Sequence, residues 1–203
     1  GSVVAGRRIA AVCGDRLARC TLELGGKSAA IVLDDYDVAE AARALAQVIT
    51  MSAGQVCATL SRVVVSANRA DALAEALKAE LEAVRVGNPN DPTTQMGPLA
   101  MARQRARVED YIAIGRAEGA CLASGGGRPA HLDRGYYLQP TLFTGVKPGM
   151  RLAQEEIFGP VLSVVRAKDY EEAVRLPSGA SVAPRCRRCG ATTPVRSEER
   201  RVG

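Results

Sequence analysis

The chain reads as an α/β protein with a largely parallel sheet. Three observations predict this. Apolar runs of strand length recur at 28–33, 61–66 and 161–165. The stretches between them place apolar residues at helical spacing, most clearly Leu73, Leu77 and Leu81 at i, i+4 and i+8. Glycine, proline and aspartate mark the breaks between the two kinds of segment, as expected where strands alternate with helices.

Residues 3–19 carry Val4, Ile9, Val12 and Leu17 among Ala and Arg, a helix-like pattern that Gly14 is expected to end. Thr21 to Leu24 is short and extended in character, and Gly25-Gly26 supplies a turn. Ser28 to Leu33 is a strand bounded by Asp34-Asp35, and Asp35 or Asp37 is placed to cap the Ala-rich helix that follows to about Met51. Gly54 interrupts that helix, which leaves Cys57 on a break before the strand at 61–66. The helix from Asp71 to Val84 leads into a loop, Gly87-Asn88-Pro89-Asn90-Asp91-Pro92. A charged, partly exposed helix is expected over roughly 100–118, a turn at Gly125-Gly126-Gly127 and strand material over 137–143. After the strand at 161–165 a helix starts at Asp169, and Pro177-Ser178-Gly179 is expected to stop it.

Composition narrows the function classes. The 203 residues are 47% hydrophobic but only 3% aromatic, with no Trp, so the core must be built from Ala, Val, Leu and Ile. No apolar run approaches the ~20 residues that span a bilayer, and no signal-peptide pattern opens the chain. The formal charge is +5. Residues 176–203 hold six Arg against two Glu, so most of that excess belongs to the last stretch. The body shows no basic stripe interleaved with aromatics, which argues against a nucleic-acid partner. Cysteines at 13, 20, 57, 121, 186 and 189 form no framework of paired spacing, so the body reads as a reduced, cytoplasmic protein. Cys186-Arg187-Arg188-Cys189 has half of a zinc-ribbon spacing with nothing to complete it, and no metal site is expected.

Two short phrases carry chemistry. Leu22-Glu23-Leu24-Gly25-Gly26-Lys27 offers a carboxylate before a pair of glycines that leave room for a ligand. Gly54-Gln55-Val56-Cys57 offers a thiol at a helix break, where backbone N–H groups favour a thiolate. Taken singly, a cysteine is more often a core filler and a glutamate more often a solvated surface group. Together they supply a sulfur nucleophile and a base for water, which is what forming and hydrolysing a thioester requires.

A third phrase, Glu155-Glu156-Ile157-Phe158-Gly159-Pro160, completes a pattern. In this order and spacing the three phrases strongly resemble the NAD(P)-dependent aldehyde dehydrogenase superfamily, and the resemblance runs from Gly1 to about Arg175. It includes Lys27, Gly97-Pro98-Leu99, Gly125-Gly126 and Gly135-Tyr136. It implies the parallel-sheet catalytic domain of the aldehyde dehydrogenase type, incomplete here: 1–22 as the end of the cofactor-binding domain and 23–175 as a partial catalytic domain.

The resemblance also implies roles. Cys57 would be the nucleophile and Glu23 the general base for the deacylating water. Glu156 would hold the nicotinamide ribose, with Phe158 packing near the nicotinamide and the Leu24 backbone touching its carboxamide. Ser2 would contact the pyrophosphate, with Gly1 in the same loop and Ala5 near the adenine. The cofactor would be NAD or NADP, the substrate a small-molecule aldehyde, and the parent protein a homo-oligomer.

Two rivals accompany this reading: an inactive fragment of such an enzyme, and the branch that passes the acyl group to coenzyme A. Glu23 favours hydrolysis, because the acylating branch generally lacks it. After Arg175 the pattern is lost. Residues 176–203 are expected to form an aberrant, disordered tail produced by a reading-frame error, and 196–203 resembles the translation of a sequencing-adapter oligonucleotide.

Overall fold

The computed structural model describes residues 1–178. Its centre is a five-stranded sheet in the order β1-β2-β5-β4-β3. The strands are β1 (Ala29–Val32), β2 (Arg62–Ser66), β3 (Cys121–Ser124), β4 (Thr141–Thr144) and β5 (Val161–Ala167). β1, β2, β5 and β4 run parallel, with Val63 opposite Val164 and Leu142 opposite Leu162, and β3 joins the edge antiparallel to β4. The sheet is therefore mixed, and largely parallel as the apolar runs predict.

Helices cover both faces, which is why the inner strands are apolar almost throughout. On one face α2 (Val38–Thr50) and α3 (Ala70–Glu82) bury Leu45, Ile49, Leu73, Leu77 and Leu81 against Val63, Val65, Leu162 and Val164. On the other, α4 (Ala102–Ala117), α5 (Arg151–Gln154) and α6 (Tyr170–Ser178) enclose Val64, Val108, Ile112, Phe143, Leu152, Val161 and Val165. Alternate residues of β2 and β5 thus feed opposite cores, the period of two that a strand imposes.

The Leu73, Leu77 and Leu81 stripe is fully buried, as its spacing predicts. Asp37 caps α2, its carboxylate accepting the Glu40 N–H at 2.9 Å. Asp169 accepts the Glu172 N–H at 2.8 Å at the start of α6.

The first helix, α1 (Val3–Asp15), ends beside Gly14 as expected, and the chain turns back through Leu17 at φ 54°. Its apolar residues Val4, Ile9 and Val12 are exposed, and Gly6 is its one buried position. Three expectations are corrected. Strand pairing over 137–143 begins only at Thr141, because Pro140 has no N–H to give. β3 and α5 are extra elements of four residues each, too short to show a period. Finally, α6 continues through Pro177 instead of stopping there. A proline in a last turn loses one hydrogen bond, and the Pro177 carbonyl gains one from Arg62 Nη2 at 3.2 Å. The readings made for 179–203, including Cys186 and Cys189, lie outside the described residues.

No helix among the described residues is long and apolar enough to cross a membrane.

Candidate active site

The break after α2 is built from strained backbone. A 3-10 turn, Met51–Gly54, holds Ser52 and Ala53 at φ 51° and 53° and Gly54 at 71°. Gln55 ties it down: its Nε2 donates to the Ser52 carbonyl at 3.0 Å, and its Oε1 accepts the Ala100 N–H at 3.0 Å. Gly54 packs so closely on Gly159 that a Cβ there would stand 2.3 Å from the Gly159 carbonyl oxygen. That contact joins the cysteine phrase to the Phe158-Gly159-Pro160 phrase about a hundred residues away. Cys57 follows on an exposed turn closed by Thr59 N–H to the Val56 carbonyl at 3.0 Å.

The 156–158 loop is pinned from α4. Gln104 Nε2 donates to the carbonyls of Ile157 (3.1 Å) and Phe158 (2.7 Å). Arg107 donates from Nε to Ile157 (3.2 Å) and from Nη2 to the Glu156 carbonyl (2.7 Å). These bonds hold Phe158 at φ 62°, a left-handed conformation costly for an aromatic residue. Behind the loop, Arg151 makes a two-pronged pair with Glu155 at 2.9 Å, and the Tyr111 hydroxyl donates to the same carboxylate at 2.6 Å. Together they hold the Glu155 carboxyl below its usual range.

The Glu23 phrase runs beside the chain start. The Gly1 amino group donates to the Glu23 carbonyl at 2.9 Å, and the Gly25 N–H to the Gly1 carbonyl at 3.3 Å. Leu24 lies over Gly6, where any Cβ would stand 2.8 Å from its Cδ1. This segment forms no strand and gains its order from those contacts. Ser2 caps α1, its Oγ accepting the Ala5 N–H at 3.2 Å.

Cys57, Glu156, Phe158, Gly1, Ser2 and Gly25 line one cavity of about 1000 Å³. Gln55, Arg103, Gln104, Arg107 and Asp110 are among its other lining residues. Glu23, Leu24 and Ala5 are not among the lining residues, and the Glu23 side chain is exposed. Another cavity, of about 680 Å³ around Arg85 and His131, contains none of the predicted site residues.

Gln104 and Arg107 escaped the sequence reading because their polar pattern on α4 looks like an exposed face. Their i, i+3 spacing was the available signal. Among the described residues no group of acidic, His and Cys side chains is arranged to hold a metal.

The Glu156 carboxylate occupies the space beside Gly25 and accepts the Gly26 N–H. Burial raises its pKa, while that N–H, Arg107 and Lys27 each act to lower it. An acceptor in a concave wall, a glycine floor and an exposed aromatic ring suit a flat polar ligand bearing hydroxyl groups.

Comparison with known proteins agrees with this architecture. The model of the aldehyde dehydrogenase family matches residues 1–180. A betaine aldehyde dehydrogenase of Brucella anthropi is 46% identical over 176 residues, which are 86% of this chain and 36% of that protein. One from Mesorhizobium japonicum is 43% identical over the same share. Among solved structures, a Mycobacterium tuberculosis aldehyde dehydrogenase complexed with NAD+ superimposes with a TM-score of 0.86 at 44% identity, covering 89% of this chain and 37% of that one. The NAD+ complex of a Bacillus cereus aldehyde dehydrogenase gives 0.85 at 39%, covering 89% and 36%. The chain belongs to the aldehyde dehydrogenase family. It spans about a third of the length of the relatives it matches.

Proposed function

We propose that this chain carries part of the catalytic domain of an NAD(P)-dependent aldehyde dehydrogenase, with 1–22 closing its cofactor domain and Cys57 as its nucleophile. The observation that carries the reading is the convergence of Cys57, Glu156 and Phe158 on one cavity wall, through the Gly54–Gly159 contact.

In the proposed reaction Cys57 Sγ adds to the aldehyde carbon, giving a thiohemiacetal. The Cys57 backbone N–H stabilises the oxyanion that forms. NAD(P)+ supplies a hydride acceptor when bound. Loss of hydride leaves a thioester on Cys57. Glu23, exposed beside the cavity-lining Gly25, takes a proton from the water that attacks this thioester. The acid departs and the thiol is restored. Glu156 holds the ribose hydroxyls as an acceptor, Phe158 covers the nicotinamide ring, and Ser2 with Gly1 lies toward the pyrophosphate.

The relatives' name makes betaine aldehyde the first substrate to test. The full-length protein is proposed to be a cytoplasmic homo-oligomer. The experiment is incubation of that protein with NAD+ and betaine aldehyde, without coenzyme A. Acid formation that disappears in Cys57→Ala supports the reading; acid formation that survives the substitution overturns it.

A further inference from the structure

Tyr111 lies on the buried side of α4, 5% exposed, and is not among the residues that line the cavity. A phenylalanine would fill the same core space. The hydroxyl, however, donates to Glu155 Oε2 at 2.6 Å and accepts from Arg107 Nη2 at 3.4 Å. The guanidinium groups of Arg107 and Arg151 lie over its ring, 5.0 Å and 5.2 Å from the centroid. Tyr111 thus touches Arg107, Arg151 and Glu155, which anchor the chain on both sides of Glu156.

We propose that Tyr111 is the positioning residue of the 155–158 loop: through Arg107 and Glu155 it fixes the backbone around Glu156 and so sets where Phe158 stands on the cavity wall. Arg107 sits one turn before Tyr111 on α4 and reaches the loop with a long, flexible side chain. Its bonds to the Ile157 carbonyl (3.2 Å) and the Glu156 carbonyl (2.7 Å) need the guanidinium plane held in one orientation. Stacking on the Tyr111 ring provides that. On the other side, the Glu155 carboxylate accepts three bonds, two from Arg151 at 2.9 Å and one from the Tyr111 hydroxyl. Bonds to an ionised acceptor are the strong ones. Phe158, at φ 62°, keeps its left-handed backbone only while its surroundings enforce it. The consequence for cofactor binding rests on the roles proposed above for Glu156 and Phe158.

The test does not depend on those roles. This chain has two phenylalanines: Phe158 is exposed, and Phe143 is fully buried in the same core cluster as Tyr111. In the full-length protein labelled at phenylalanine 13Cζ, their NMR signals are those lost in Phe158→Leu and Phe143→Leu. Tyr111→Phe keeps the ring and adds one signal of its own. It is expected to shift or split the Phe158 signal and to leave the Phe143 signal in place. Arg151→Gln, a change outside the core, is expected to move Phe158 as well. A Phe158 signal unmoved in either variant, or one that moves only together with Phe143, overturns the proposal. In a second measurement, NAD+ affinity is expected to fall about threefold in Tyr111→Phe, the scale of one net hydrogen bond. If Phe158 moves and NAD+ affinity is unchanged, the positioning by Tyr111 stands and the cofactor role of the loop fails.

Discussion

The Glu156 carboxylate occupies the space that a side chain at residue 25 would need: a Cβ on Gly25 would lie 2.1 Å from Glu156 Oε1 and 2.2 Å from Oε2. The glycine pair after Glu23 is thus the floor on which a carboxylate from 131 residues downstream is seated.

Gly25→Ala is expected to evict that carboxylate while leaving the fold nearly intact, because the atoms that must move are the free end of a flexible side chain. Thermal unfolding of the variant should match the parent within a few degrees. NAD+ affinity in the full-length protein should fall about tenfold, which corresponds to about 1.4 kcal/mol. Unchanged affinity would show that Glu156 has no part in holding the cofactor.

Gly54→Ala is expected to behave in the opposite way. The residue sits at φ 71°, and the atom in the path is the Gly159 backbone carbonyl, 2.3 Å from the new methyl carbon. Backbone on both sides cannot yield cheaply. A loss of about 2–4 kcal/mol in urea unfolding is expected, with Cys57 displaced from Phe158. A midpoint equal to the parent's would refute the close packing.

Lys27 gives stability a pH dependence whose sign follows from its direction of shift. The folded amine titrates at about 7, below its unfolded value of 10.5, so between those values the unfolded chain binds more protons. Stability attributable to this group therefore rises with pH through that window, by up to about 1.4 kcal/mol per pH unit. Below pH 7 the burial penalty is fully present. Urea unfolding at pH 6.5, 8 and 9 should show the rise, and Lys27→Met should flatten it. An equal rise in both proteins would assign the effect elsewhere.

In the full-length protein, Glu23→Gln is expected to slow deacylation at least a hundredfold while leaving acylation, so a thioester accumulates. Intact-protein mass spectrometry after mixing with aldehyde and NAD+ should show the acyl mass, and peptide mapping should place it on Cys57. Acyl mass on another cysteine would reassign the nucleophile.

Where local periodicity carries the information, sequence and structure agree closely. The Leu73, Leu77 and Leu81 stripe, the Asp37 cap and the valine run of β2 each follow from spacings within a dozen residues. β3 and α5 did not show, because four residues hold less than one useful period. β3 in particular is a strand only through its pairing with β4. The charged face of α4 was legible as polar, yet its purpose was not. Gln104 and Arg107 point at carbonyls some fifty residues away, and no local pattern encodes that distance.

Residue types and their spacing were enough, unaided, to determine the α/β class, the family resemblance and the chemical identity of the thiol and carboxylates. Tertiary structure alone decided that Gly54 meets Gly159, that Glu156 rests on Gly25, and that the Lys27 amine lies buried without a hydrogen-bond partner among the described residues. The physical reason is that helices and strands are selected by neighbours a few residues apart, whereas a cavity wall and the charges behind it exist only once distant segments exclude water together.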